Sequence, residues 1–304
     1  MGKQTVAIVA ALGCVWPALI WSDGALAQQS PLPTVDSSVI FQDYLKTAQD
    51  GDPEAQGRIG DMYAHGEGVD RDMGRARMWD ERAAEAGVSG AQAALGEMYE
   101  RGDGVPADFA QAKAWFEKAA AQNNDEALYR LGVMADRGEG RPVNYGDAAQ
   151  FYRQAADRGN AEAQYQLGLM YTGGEGVARD DAEAVTWLYK SASQGYDDAQ
   201  FEVGLRYFDG RGVDHDDATA FHWFLLAAQQ GDVEAQYYLS RMYDSGRGID
   251  RDIVRAYAWA FLAATGNNRD AQAYLVSVQG TMSQEQKADA INMADTLIAK
   301  PKGH

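Results

Sequence analysis

From about residue 40 the chain repeats one arrangement of apolar, small and polar positions. Ala55, Ala91, Ala127, Ala163, Ala199, Ala235 and Ala271 each stand 36 residues after the one before. Four residues beyond each alanine is an aliphatic side chain: Ile59, Leu95, Leu131, Leu167, Val203, Leu239 or Leu275. Five beyond is a small residue, Gly60, Gly96, Gly132, Gly168, Gly204 or Ser240. Eight beyond is an aromatic, Tyr63, Tyr99, Tyr171, Tyr207 or Tyr243, with Ala135 the exception. These offsets share one face of an α-helix, so each period predicts a helix with an apolar face. A glycine inside that face lowers helix propensity, and its recurrence predicts that a neighbouring helix approaches closely there.

Each of these helices runs into a glycine pair: Gly66 and Gly68, Gly102 and Gly104, Gly138 and Gly140, Gly174 and Gly176, Gly210 and Gly212, Gly246 and Gly248. A glycine-rich tail can cradle phosphate, hold calcium or simply end a helix. The sixfold recurrence with unchanged flanks predicts punctuation, with residues of positive φ ending the helix. Four residues after the second glycine comes Asp72, Asp108, Asn144, Asp180, Asp216 or Asp252. Asp and Asn both accept hydrogen bonds from free N–H groups, so these positions predict N-caps of a second helix. That helix carries a small and a large packing residue: Ala76 and Trp79, Ala112 and Trp115, Ala148 and Phe151, Ala184 and Trp187, Ala220 and Trp223, Ala256 and Trp259. It closes on Ala83, Ala84 and Gly87 or their equivalents.

The ends read as caps. Residues 36–52 close on Thr47, Ala48 and Gly51 in register with a second helix, and Ser283-Gln284-Glu285-Gln286 resembles a capping box opening a last helix over residues 283–300. Residues 53–282 hold six full copies and a final first helix. A stack of repeats needs such ends, because a terminal copy otherwise bares an apolar face.

The combined pattern A-x-x-x-[LIV]-G-x-x-Y-x-x-G-x-G-[VI]-x-x-[DN]-x-x-x-A-x-x-[WF]-x-x-x-A-A-x-x-G is similar to the Sel-one-like repeat, a relative of the tetratricopeptide repeat. The third copy departs most, through Ala135, Arg141, Pro142 and Phe151, with Asn123 before it. The resemblance implies an all-α fold, a right-handed α-solenoid superhelix of antiparallel helix pairs. In such folds the first helices line a concave groove, and the position two after each anchor alanine should face it. Here that position is Gly57, Ala93, Tyr129, Tyr165, Phe201, Tyr237 and Ala273. Four residues further lie Asp61, Glu97, Val133, Leu169, Leu205 and Arg241. The expected partner-binding groove therefore holds Tyr129, Tyr165, Phe201, Tyr237, Leu169 and Leu205, with Glu162, Asp198 and Glu234 (and Glu126) along its rim. Aromatics with a polar tip are common interface anchors, and an acidic rim favours a basic segment. Packing between adjacent first helices accounts for the same tyrosines equally well.

Charge and the leading residues add a compartment. Lys3 precedes the uncharged run VAIVAALGCVWPALIW, and polar residues then lead to Ala25-Leu26-Ala27, a small-x-small site. This predicts a secretory signal over residues 1–27, cleaved after Ala27, with residues 28–35 (QQSPLPTV) as a disordered linker. The alternative is an uncleaved anchor, against which stand Pro17 and the shortness of the run. A lipoprotein site at Cys14 fits less well, because Leu12 stands one position too late. Cleavage would remove Cys14, the one cysteine, leaving a chain suited to an oxidising compartment without disulfides. The net charge of −18 disfavours nucleic acid and anionic lipid surfaces.

No catalytic arrangement breaks the repeat. There is no Ser-x-x-Lys and no His-Glu-x-x-His. His65 and His215 fall in turns, His222 on a second helix and His304 at the end. His215 with Asp214, Asp216 and Asp217 is better explained as a capped acidic turn than as a metal site. Arg101-Gly102-Asp103 spells an adhesion tripeptide by chance, at a turn that every copy has. Gly173-Gly174-Glu175-Gly176 lacks the aspartate of a calcium repeat. No cofactor, metal or enzymatic activity is therefore expected. The expected role is a periplasmic or secreted adaptor or regulator that binds envelope proteins, the periplasmic part of a membrane protein among them. The alternative is a binder of peptidoglycan fragments, other glycans or β-lactams.

Overall fold

The computed structural model describes residues 36–298, and the expected signal segment and linker lie outside the described residues. Among these residues there are helices and no strands. A leading helix α1 (Ser37–Gln49) is followed by six pairs. They are α2 (Pro53–His65) with α3 (Met73–Glu85), α4 (Ser89–Arg101) with α5 (Phe109–Ala120), and α6 (Asp125–Arg137) with α7 (Tyr145–Ala156). Then come α8 (Ala161–Gly173) with α9 (Asp181–Ser193), α10 (Asp197–Asp209) with α11 (Asp217–Gln230), and α12 (Val233–Ser245) with α13 (Ile253–Thr265). A shorter α14 (Arg269–Ser277) and α15 (Gln284–Leu297) end the array. From α1 to α14 each helix packs on its neighbours in sequence, while α15 packs on α13 rather than on α14. This is an α-solenoid of helix pairs.

In the first five copies the glycine of the first helix admits a side chain from its partner. A Cβ at Gly204 would lie 2.6 Å from the Phe224 ring, and one at Gly96 would lie 2.4 Å from Phe116. Phe116 and Phe224 are fully buried, as are Tyr152 and Leu188 at the same register, and each such side chain contributes about 1.5–3 kcal/mol of hydrophobic stabilisation. The helix interior accepts the poor propensity of glycine in exchange for this contact.

The turns follow one design. The first glycine ends the helix in the left-handed region, as at Gly174 (φ 77°), whose N–H bonds the Met170 carbonyl at 2.8 Å. The second has positive φ too, and it touches the preceding second helix. A Cβ on Gly176 would sit 2.0 Å from the Tyr145 carbonyl oxygen. The cap residues then open the second helix: Asp216 Oδ1 accepts from the N–H of Ala218 and Thr219 at 2.9 and 3.0 Å, and Asn144 does the same work for α7. In the third copy the Asn144 N–H still bonds the carbonyl of residue 135 at 2.8 Å, as its counterparts bond a tyrosine carbonyl. The alanine there changes the side chain and leaves the turn intact. Asn123, with φ 65°, takes the place of the closing glycine.

Copies are also joined by a glutamine ladder that pairs a buried with an exposed glutamine. Gln164 Nε2 donates to the Ala156 carbonyl at 3.0 Å while its Oε1 accepts from Gln194 Nε2 at 2.8 Å; Gln200 and Gln230 repeat the arrangement. At the far end Ser283 and Gln286 exchange the two bonds of a capping box.

Candidate binding face

The residues two positions beyond the anchor alanines divide along the array. Gly57 and Ala93 are buried, Tyr129, Tyr165, Phe201 and Tyr237 are half-buried, and Ala273 is exposed. The four rings do not make equal contacts. Tyr129 lies 5.9 Å from Tyr152, and Tyr165 lies 5.2 Å from Tyr196. Phe201 is held between Phe224 and Tyr238, 5.7 Å from each, within the largest apolar cluster. Tyr237 makes no ring contact among the described residues. Phe201 thus does most packing and Tyr237 least. Leu169 and Leu205 line a depression of about 270 Å³ between α8 and α10, shared with Thr172 and Glu202. Val133, in the same register, is closed into the core.

Of the rim acids, Glu162, Asp198 and Glu234 stand in the first turns of α8, α10 and α12, where the helix dipole favours negative charge. Glu234 accepts a bond from Asn268 Nδ2 at 2.9 Å. Glu126 is neutralised by Arg130 at 2.7 Å. Glu162 and Asp198 form no ion pair among the described residues. Burial, then Asp198, pushes the Tyr196 phenol up to about 12, and burial with the same carboxylate raises that of Tyr165. Both stay neutral hydroxyls, and that of Tyr196 is hydrogen-bonded to the Asp198 carboxylate.

Two buried side chains break their column. Met62, Met98, Met134, Met170 and Met242 occupy the position seven beyond the anchor, and in the fifth copy Arg206 replaces methionine, 4% exposed. Its guanidinium donates to Thr172 Oγ1 at 3.0 Å and Glu202 at 3.2 Å, and lies 3.7 Å from Asp181. It therefore bridges α8, α9 and α10. In the first copy Asp80 replaces the side chain that elsewhere fills the glycine notch; it is 1% exposed and its Oδ1 has no hydrogen-bond partner. A cavity of about 500 Å³ opens between α2 and α4 at this point. Reading the column after the conserved Trp or Phe would have found Asp80, because its counterparts are Phe116, Tyr152, Leu188, Phe224 and Ala260.

Other candidates resolve into local structure. His215 Nδ1 lies 2.9 Å from the Phe208 carbonyl and Nε2 3.3 Å from Asp217, beside the Asp216 cap. Gly102 of the Arg-Gly-Asp tripeptide is the left-handed C-cap of α4.

Antiparallel helix pairs stacked in register, presenting a half-open aromatic face on the first helices, define an α-solenoid repeat scaffold. More narrowly, the chain belongs to the Sel1 repeat family, whose pattern matches residues 53–88, 89–124, 125–160, 161–196, 197–232 and 233–268. Among solved structures it is similar to a protective antigen of uropathogenic Escherichia coli strains that displays an SLR fold. The identity is 33%, the TM-score 0.76, and the match covers 83% of this chain and 54% of that one. The chain thus spans about half the length of that relative. It is also similar to a Sel1 repeat protein from Oxalobacter formigenes, with 31% identity, a TM-score of 0.63, and coverage of 76% and 97%. No curated protein matches the chain.

Proposed function

We propose that the protein is an exported, non-enzymatic scaffold that holds a segment of a partner protein along the first helices of copies three to six. The family supports protein partners in general. The observation that carries the finer reading is the half-open row Tyr129, Tyr165, Phe201 and Tyr237, beside the carboxylates Glu162 and Asp198, which form no ion pair among the described residues. Rings with a polar tip give large contact area at small entropic cost. The acids select a segment carrying Lys or Arg. The signal-like leading residues support a periplasmic role, with an envelope protein, or the periplasmic part of a membrane protein, as the proposed partner. Among the described residues no helix is long and apolar enough to cross a membrane.

The test is capture of envelope proteins on the form beginning at Gln28, beside a Tyr165→Ala, Tyr237→Ala variant. Phe201 is left in place because its packing would confound the result. A protein held by the parent and released by a variant with unchanged circular dichroism supports the reading. Equal retention by both assigns binding to another surface, and retention of nothing by either removes the scaffold reading.

A further inference from the structure

Among the described residues α1 is a second helix without a first. Counted on by 36 residues, its Ala48 and the following Gly51 match the closing Ala84 and Gly87 of the next copy. It packs onward in the same way: Gln56 Nε2 donates to the Ala48 carbonyl at 3.1 Å, as Gln92 does to Ala84 at 3.0 Å, and the Phe41 ring lies 5.3 Å from Tyr63. Three further positions of a second helix face its own first helix, those of Ala184 and Leu188 closing on Gly168 and that of Ala83 on Gly57. In the six paired second helices these positions are at most 1% exposed. In α1 they hold Ile40, 36% exposed, Tyr44, 41% exposed, and Thr47, also exposed.

This bare face opens on a cleft of about 440 Å³, walled by Asp43, Tyr44 and Thr47 of α1 on one side and by the Asp52 cap, Glu54, Ala55 and Arg58 on the other. The second wall is also a helix seat. One copy on, Val88 and Ala91 hold the positions of Asp52 and Ala55, and they lie 3.7 and 3.8 Å from a Cβ placed at Gly57 of the preceding first helix. The cleft is thus bounded by the two surfaces that, one copy on, hold α2 between α3 and α4. Arg58 pairs with Glu67 at 2.6 Å, whereas Asp43 and Glu54 form no ion pair among the described residues.

The first five pairs show what covers such a face: a helix whose apolar side carries a glycine where the side chain of the second helix enters. Tyr152, the tyrosine in the register of Tyr44, enters at Gly132, where a Cβ would lie 2.6 Å from its ring. The unpaired first helix at the other end of the array does not fit, because α14 has Val276 at the glycine position. The occupant is therefore not a second copy of this chain. We infer that α1 and the start of α2 form a docking seat for an amphipathic helix of a partner protein. That helix carries glycine at the centre of its apolar face, to receive Tyr44, and basic residues beside it, to meet Asp43 and Glu54. The seat lies at the head of the array, outside copies three to six, and does not depend on the aromatic row.

The test uses the form beginning at Gln28 and a peptide of residues 124–139, the first helix that already receives Tyr152, stapled across its outward face so that it is helical when free. Binding is followed by amide shifts in NMR. Expected are saturable shifts confined to α1, α2 and the turn between them. Tyr44→Ala, at an exposed position, should leave the unfolding midpoint unchanged and weaken the peptide roughly tenfold or more. Thr47→Ala, which supplies the alanine found in five of the six paired second helices, should bind at least as well as the parent. A peptide with Gly132→Val, the side chain that α14 carries there, should not bind. No saturable shift, equal binding by Tyr44→Ala, equal binding of the Gly132→Val peptide, or shifts centred on Tyr165 and Tyr237 would each overturn the assignment. So would self-association of the protein that Val276→Asp abolishes. Capture of a partner through Tyr165 and Tyr237 is read in separate variants, so the two sites fail separately.

Discussion

Asp80→Asn keeps the outline of the side chain and removes its proton equilibrium. In the folded chain the carboxyl is pushed from 3.8 up to about 8, first by burial and then by Asp61. Between those values the folded chain holds a proton that the unfolded chain has released. This contribution to stability is therefore fully present below about pH 3.8, declines as pH rises, and is lost once pH passes about 8. Each pH unit in the window is worth ~1.36 kcal/mol. From pH 4 to pH 7 the parent thus loses on the order of 4 kcal/mol through this group alone. Asparagine has no such slope. Its buried amide costs ~1–3 kcal/mol, but that cost is the same at every pH. Carboxyls such as Glu100 and Asp232, also raised by burial, are common to both chains and drop out of the difference. Urea unfolding followed by circular dichroism at pH 4, 5, 6 and 7 gives the comparison. The stability of the variant relative to the parent should grow by about 4 kcal/mol across the series. A difference flat to within about 1 kcal/mol would refute the reasoning, because Asp80 would then be ionised in the folded chain.

Three further outcomes are expected. Gly176→Ala, which forces a Cβ at φ 67° to within 2.0 Å of the Tyr145 carbonyl, should cost roughly 2–4 kcal/mol in thermal unfolding, whereas Gly90→Ala, in open space on α4, should add about 0.5 kcal/mol. Arg206→Met restores the methionine of the other copies and should change stability by less than about 1 kcal/mol, while Arg206→Ala, which opens a hole and strands Glu202, should cost about 3 kcal/mol by urea titration. Asp216→Ala removes the acceptor for the Ala218 and Thr219 N–H groups and should cost about 1 kcal/mol, with Asp216→Asn near neutral as Asn144 already shows.

The fold was legible because every copy restates the same physics. Ala163, Leu167 and Gly168 sit on one helical face and are buried together, and the caps at Asp72 through Asp252 bond as their chemistry requires. The close approach expected at the glycines is there at Gly96 and Gly204. The face of the first helices was only partly legible. Periodicity places Val133 beside Leu169 and Leu205, but nothing in a helical offset distinguishes a side chain closed by the next copy from one left half-open. Nor does it show that Phe201 is pinned between Phe224 and Tyr238 while Tyr237 lacks ring contacts. Asp80 and Arg206 escaped for the opposite reason. Their signal is a departure within a column, and it becomes visible only when copies are compared position by position across an apolar column.

The contact of Gly176 with the Tyr145 carbonyl recurs as Gly212 with Asp181 and Gly248 with Asp217. These contacts join main chain to main chain, so the step from one copy to the next is held by atoms that every amino acid shares. Substitution can then rewrite the outward side chains without altering the pitch of the stack, and duplication of one 36-residue unit adds another step of the same size. Such a chain can exchange one client for another by point changes, or lengthen its grip by whole modules, while the spacing between grips stays constant.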